Sequence, residues 1–138
     1  MGGTFDPPHN GHVFISKYAI LRLNLKEVWW IVTFSNPLKK QSSSYKKRIS
    51  LTKKFLRSTN IKLLEINKND NKYAIDTIIY LKKKFKQKKF IWLMGTDNLK
   101  NLHLWKDWKN FFNNIPIAIF DRPSYSFNIT KSKALFFF

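Results

Sequence analysis

Two histidines three residues apart, His9 and His12, close the run Gly2-Gly3-Thr4-Phe5-Asp6-Pro7-Pro8-His9-Asn10-Gly11-His12. Glycine has no Cβ, so the amides of Gly2 and Gly3 can lie against a phosphate or an adenine edge. The prolines rigidify the turn and bring no amide that would need a partner. The histidines stand where an apolar-periodic segment begins, at a helix N-terminus whose dipole already favours anions. Imidazoles there can donate hydrogen bonds to phosphate oxygens as charge builds in a transition state. The chemistry indicated is that of a nucleoside triphosphate site. A lone histidine is more often surface or core filler, and a glycine pair alone is weak evidence; the combination is stronger than its parts. His-x-x-His also suggests a metal, but the chain has no cysteine, no third histidine nearby and no glutamate in the spacing of a zinc helix. No metal site of the protein's own is expected.

Elements that could position this loop follow in order. Residues 10–24 carry Val13, Ile15, Ala19, Ile20 and Leu23 near helical spacing. Residues 27–34 are β-branched and aromatic, as a strand buried on both faces should be. A loop with Asn36, Pro37 and a serine run stops that strand. Residues 45–58 predict a basic amphipathic helix with Ile49, Leu51, Phe55 and Leu56 inward. A short strand at 61–66, a turn at 68–71, a helix at 73–85 and a strand from Phe90 to Met94 follow. Trp105 to Phe112 reads as a helix and Pro116 to Phe120 as a last strand. Alternating strands and helices predict an α/β protein, a Rossmann-like parallel sheet with helices on both faces and ligands over the strands' carboxyl ends. A phosphate loop normally leaves a strand, yet only Met1 precedes these glycines. The first strand, the sheet's central member, is therefore expected to be missing.

Composition bounds the rest. A chain of 138 residues, 43% hydrophobic and 17% aromatic, suits one globular domain, residues 1–138, and argues against disorder. The lack of cysteine suits a reducing cytoplasm, and no apolar run approaches the roughly 20 residues of a membrane-spanning helix. The formal charge of +18 invites a nucleic-acid reading, but lysine supplies 22 of the 26 basic residues and arginine four. Readers of bases and phosphates favour arginine's planar fork. Lysines spread over every polar face, with abundant Asn, Ile and Phe, fit an AT-rich coding bias. The expectation is no dedicated nucleic-acid partner and no membrane, with a positive field that draws in small polyanions.

The opening run, with His9-Asn10-Gly11-His12 at its core, resembles the signature of the nucleotidylyltransferase superfamily, and later segments resemble bacterial nicotinate-nucleotide adenylyltransferase. Asn36-Pro37-Leu38-Lys39-Lys40 stands where that family has a Pro-Pro-His-Lys loop. Tyr73-Ala74-Ile75-Asp76-Thr77 is similar to its Ser-Tyr-Thr-x-x-Thr segment. Gly95-Thr96-Asp97-Asn98-Leu99 with Trp105 is similar to its Gly-x-Asp-x-Leu and pyridine-facing Trp, and Arg122-Pro123-Ser124-Tyr125 to its Arg-Pro-Gly-Tyr. The likeness runs from residue 2 to residue 125. It implies adenylyl transfer from ATP, with bound Mg²⁺, to nicotinate mononucleotide. It also implies roles. His9 and His12 would contact the triphosphate and carry catalysis, and Gly2, Gly3, Thr4 and Phe5 would line the nucleotide cleft. Asp97 would hold the nucleotide. Lys39, Lys40, Tyr73, Ala74, Thr77 and Arg122 would bind substrate, and Trp105 would stack on the pyridine ring. Trp105 and Trp108 also suit a plain core.

Departures from the family pattern leave alternatives open. Ala74 replaces a threonine and Lys39 a histidine, and the family's C-terminal Ile-Ser-x-Thr-x-Ile-Arg segment is expected to be missing with the helical region that carries it. A sister activity, such as pantetheine-phosphate adenylyltransferase or a cytidylyltransferase, and an inactive truncated remnant both stay in view. Trp105 after Gly95-Thr96-Asp97, with Arg122-Pro123 downstream, points to the pyridine-nucleotide branch.

Overall fold

A computed structural model describes residues 1–34, 36, 38, 40, 43–57, 59–121 and 135–137, with backbone alone at 99, 100 and 135–137. The chain divides into two compact units, Met1–Glu65 and Ile66–Phe138.

In the first unit the aromatic and β-branched run forms strand β2 (Trp29–Val32), with three of its four residues buried. It pairs in parallel with β1 (Gly2–Gly3) and β3 (Lys62–Leu63), in the order β1-β2-β3. The expected loss of the first strand is thus corrected. Gly2 lies opposite Ile31 and Gly3 opposite Val32. The amides of Ile31 and Thr33 donate to Met1 O and Gly3 O at 3.0 and 2.9 Å. Glycine hides the strand because it has little intrinsic preference for one, yet parallel pairing needs only backbone.

Helix α1 (Asn10–Leu23) buries Ile15, Ser16 and Ala19 and ends at Asn24, whose left-handed backbone (φ 49°) suits asparagine as a helix stop. Helix α2 (Tyr45–Leu56) is capped by Ser44, whose side chain accepts from the Lys47 amide. It buries Ile49 and Leu56 as expected but also Arg48 and Thr52, while Leu51 and Phe55 are only half-buried.

In the second unit, a 3-10 turn at Lys68–Asp70 leads into α3 (Ala74–Lys84), then β4 (Trp92–Gly95) and a 3-10 stretch from Thr96 to Leu104. Helix α4 (Trp108–Asn114), β5 (Ile117–Phe120) and β6 (Leu135–Phe137) complete it. Strand β4 pairs with β5 in parallel, Trp92 opposite Ile117 through Gly95 opposite Phe120. Strand β6 pairs with β5 antiparallel, so an expected all-parallel arrangement gains one reversed strand. Ile75 and Ile78 of α3 pack with Trp92 and Met94 of β4, Phe111 of α4 and Ile117 of β5 in the unit's core. Ile79, on the same helix, is 53% exposed. Helix α4 starts three residues later than expected because Asp107 takes a left-handed conformation (φ 51°) before it. Among the described residues, no helix is long and apolar enough to cross a membrane.

Candidate active site

The opening loop leaves β1 at Thr4 and bends at Phe5, a non-glycine residue at φ 46°. That conformation costs on the order of 1–2 kcal/mol for a residue with a Cβ. Burial of the ring offsets it: Phe5 is 1% exposed and stacks on Trp30 at 4.6 Å between centroids. A Cβ on Gly3 would stand 3.2 Å from the Phe5 ring, so glycine there lets the ring seat.

His9 caps α1 with extended backbone, and its amide donates to His12 Nδ1 at 3.2 Å. An Nδ1 that accepts is unprotonated, which assigns the proton of a neutral His12 ring to Nε2. The two imidazoles stack at 3.7 Å, inclined by 28°. Gly11 supports the stack, since a Cβ there would meet His9 Cε1 and Nδ1 at 3.0 Å. From below, Ser16 Oγ donates to the His12 carbonyl at 2.8 Å and accepts from Trp30 Nε1 at 2.8 Å. The Phe5 ring touches that of His12 at 4.8 Å. The arrangement offers imidazole donors at the start of a helix, held by buried aromatic packing.

In the sequence Arg48 reads as one more cation on a basic helix. Its Nη1 donates to Thr4 O and Thr33 O at 2.8 Å each, Nη2 to Phe34 O at 2.9 Å and Nε to Ser43 O at 3.3 Å. Burial pulls its pKa below the ordinary arginine value, while Asp6 and Tyr45 draw it back up, and a guanidinium stays charged in proteins. Asp6 Oδ2 accepts from the Ser43 amide at 3.1 Å. Lys40 is exposed; Lys39 lies outside the described residues.

The second unit holds the other expected groups. Tyr73 caps α3, its amide donating to Asp76 Oδ2 at 3.1 Å. The Lys106 ammonium lies 4.5 Å from the centre of its ring and that of Lys72 5.6 Å. Ala74, half-buried, opens α3 beside it. Thr77 is 1% exposed, and its hydroxyl is within donating distance of Asn71 Oδ1 (2.9 Å) and Tyr73 O (3.3 Å). Its side chain braces Tyr73 from inside. Asp97 is exposed near the start of the 3-10 stretch, with Asn98 Nδ2 at 3.5 Å from its carboxylate. Trp105 is half-buried with its edge on Phe111 at 5.4 Å, so it combines core contact with exposed surface. Arg122 lies outside the described residues. Among the described residues no group of three or more His, Asp or Glu is placed to hold a metal ion.

The family model for cytidylyltransferase-like proteins matches residues 1–137. A protein of Ruegeria sp. (strain TM1040) named probable nicotinate-nucleotide adenylyltransferase is 37% identical over 136 residues, 97% of this chain and 72% of its own length. One of the same name from Rhizobium meliloti is 38% identical over 88% of this chain and 66% of its own length. The fold is similar to that of Plasmodium falciparum nicotinic acid mononucleotide adenylyltransferase complexed with NaAD, at a TM-score of 0.77 and 15% identity, over 92% of this chain and 65% of that one. Loop, histidine pair and sequence likeness coincide from the first residues onward, and the chain belongs to the cytidylyltransferase-like family and, within it, to the nicotinate-nucleotide adenylyltransferases, which are nucleotidyltransferase enzymes.

Proposed function

We propose that this chain transfers the adenylyl group of ATP to nicotinate mononucleotide, releasing pyrophosphate and forming deamido-NAD. A phosphate oxygen of the mononucleotide forms a bond to the α-phosphorus in line with the bond that breaks. The bridging oxygen to the β-phosphate leaves with its electron pair as pyrophosphate. The attacking phosphate is already a nucleophile, so no covalent enzyme intermediate is required, and catalysis is positioning plus charge stabilisation.

The observation that carries this reading is the bond from the His9 amide to His12 Nδ1, which fixes the ring in the tautomer that donates from Nε2. A donor held at a helix start can meet the growing charge on a phosphate oxygen without reorganising. His9, Gly2, Gly3, Thr4 and the Phe5 backbone complete the nucleotide contacts, with Asp97 as a further polar partner. Lys39 and Lys40 act as point charges toward phosphate. On the acceptor side Trp105 stacks on the pyridine ring, and Tyr73, Ala74 and Arg122 contact the mononucleotide. Mg²⁺ would come bound to the triphosphate, keeping much of its water and needing few protein ligands. It would neutralise charge on the departing pyrophosphate. The family match across residues 1–137 supports reading the chain as one domain, residues 1–138, and the lack of cysteine suits work in the cytoplasm.

The test is pyrophosphate release by the chain with ATP, Mg²⁺ and nicotinate mononucleotide, and identification of deamido-NAD by chromatography. Parallel reactions replace the acceptor by phosphopantetheine or ATP by CTP. Release confined to the first pair is expected. A folded chain that binds ATP yet releases nothing with that pair would reject the proposal.

A further inference from the structure

We propose that Arg48 is a positioning residue of the nucleotide site: it fixes the bend at Thr4–Phe5 and, through that bend, the His9–His12 imidazole pair. The inference rests on the nucleotidyl-transfer reading for its consequence, but its geometry stands without it.

Arg48 is 1% exposed, and its guanidinium donates to four backbone carbonyls, those of Thr4, Thr33, Phe34 and Ser43. Such bonds from a charged donor are stronger than neutral ones. The planar fork also sets the angles between its partners, which an ammonium on a flexible stem cannot do. The carbonyls come from three places in the chain. Thr33 and Phe34 follow β2, and Ser43 precedes the cap of α2. These are the two ends of the segment that carries Lys39 and Lys40. The remaining carbonyl, Thr4, belongs to the opening loop.

That last bond reaches the histidines. The Thr4 carbonyl lies in the peptide plane that leads into Phe5, and φ of Phe5 is the rotation beside that plane. A value of 46° is disfavoured for any residue with a Cβ and persists only where the surroundings over-determine it. Here the bond from Nη1 holds the plane at 2.8 Å, and Trp30 holds the ring. The ring in turn meets His12, which accepts a hydrogen bond from the His9 amide and stacks on the His9 ring. Releasing the Thr4 carbonyl frees Phe5 to leave the left-handed region, and the ring that His12 rests on moves with it.

Arg48→Lys and Arg48→Gln, made in the full chain, separate this role from simple support of the fold. Three quantities are read: thermal unfolding, the long-range ¹H–¹⁵N correlations of the two imidazoles without nucleotide, and the Kd for ATP by calorimetry. Arg57→Lys, an exposed position after α2, is the control. The expected result is a folded Lys or Gln variant in which the His12 pattern changes from a single Nε2-protonated form to an average of both tautomers. Its Kd for ATP weakens about tenfold or more, in line with the cost of small misplacements in a site, and Arg57→Lys changes neither. Folded variants with the parent's His12 pattern overturn the inference. So does failure of both variants to fold while Arg57→Lys folds, since Arg48 would then be a determinant of the fold alone. Should the parent bind no ATP, the nucleotidyl-transfer reading fails and the imidazole spectra still decide the role of Arg48.

Discussion

The indole N–H of Trp30 donates to the hydroxyl of Ser16 at 2.8 Å, joining strand β2 to helix α1 in the buried interior of the first unit. The same hydroxyl donates to the His12 carbonyl at 2.8 Å, so one small side chain both donates and accepts. A buried polar group left without its partner costs roughly 1–3 kcal/mol. Ser16→Ala strands the Trp30 N–H and is expected to lower stability by about that amount, read as a lower urea midpoint at unchanged slope. An unchanged midpoint would mean that another acceptor takes the indole proton.

Gly11→Ala sets two effects against each other. Alanine exceeds glycine in helix preference by up to about 1 kcal/mol, so propensity alone predicts equal or greater stability. The new Cβ, however, would stand 3.0 Å from the His9 ring and push it off His12. Displacement of a contacting group by about 1 Å can cost about a hundredfold in rate. The expected variant therefore melts at or above the parent temperature and loses roughly tenfold to a hundredfold in kcat/KM for ATP. Parent-like kinetics would show that the His9 ring position is unimportant.

Thr77→Val tests whether Thr77 braces or contacts. Valine matches its shape but removes the hydroxyl that reaches Asn71 Oδ1 and Tyr73 O. Asn71 is itself buried, at 2% exposure. The loss of a buried hydrogen bond predicts destabilisation of about 1–2 kcal/mol. Because the hydroxyl faces inward, KM for the acceptor is expected to stay within about twofold below the unfolding range. A large rise in KM without loss of stability would place the Thr77 hydroxyl at the substrate.

How much of this was legible in the sequence depended on what each residue advertises. The alternation of helices and strands was readable because Trp29–Val32, Trp92–Gly95 and Ile117–Phe120 are apolar runs bounded by polar turns. Strand β1 was not, since Gly2 and Gly3 signal a loop by type and pair only through backbone. The antiparallel pairing of Leu135–Phe137 was hidden in a low-complexity end. Arg48 was masked by its neighbours: after Tyr45, Lys46 and Lys47 it looks like solvent-facing charge. Its burial follows from four carbonyls in distant segments, which no local pattern records. Ser16 and Thr77 were hidden likewise, as polar residues on buried faces whose partners lie on or before their own helices and, for Ser16, on a neighbouring strand. The histidine loop was legible because its chemistry is local, from the cap at His9 to the acceptor at His12.

Removal of the divalent ion should separate turnover from folding. With Mg²⁺ bound by the triphosphate, as proposed, chelation by EDTA is expected to abolish pyrophosphate release while leaving the melting temperature of the nucleotide-free chain unchanged. Added Mg²⁺ should restore the rate. A fall in melting temperature on chelation alone would point instead to an ion held by the protein.

Trp105 provides the sharpest test on the acceptor side, because its contacts predict two separable losses. Its edge-on contact with Phe111 belongs to the core of the second unit, so Trp105→Ala should destabilise by part of the roughly 3–5 kcal/mol that a fully buried tryptophan costs. Trp105 is only half-buried, and the exposed remainder is the surface proposed to stack on pyridine. Base–aromatic stacking is worth about 1–3 kcal/mol, or roughly fivefold to over a hundredfold in affinity. Trp105→Phe retains an aromatic ring and much of the core contact, and is expected to fold with KM for nicotinate mononucleotide raised a few-fold. Trp105→Ala should raise that KM by tenfold or more at temperatures where it remains folded, with KM for ATP nearly unchanged. Trp108→Ala, at the start of α4 and also half-buried, is the matched control and should leave both KM values close to the parent's. Equal shifts at Trp105 and Trp108 would mark both tryptophans as packing residues and leave the pyridine ring without its proposed platform.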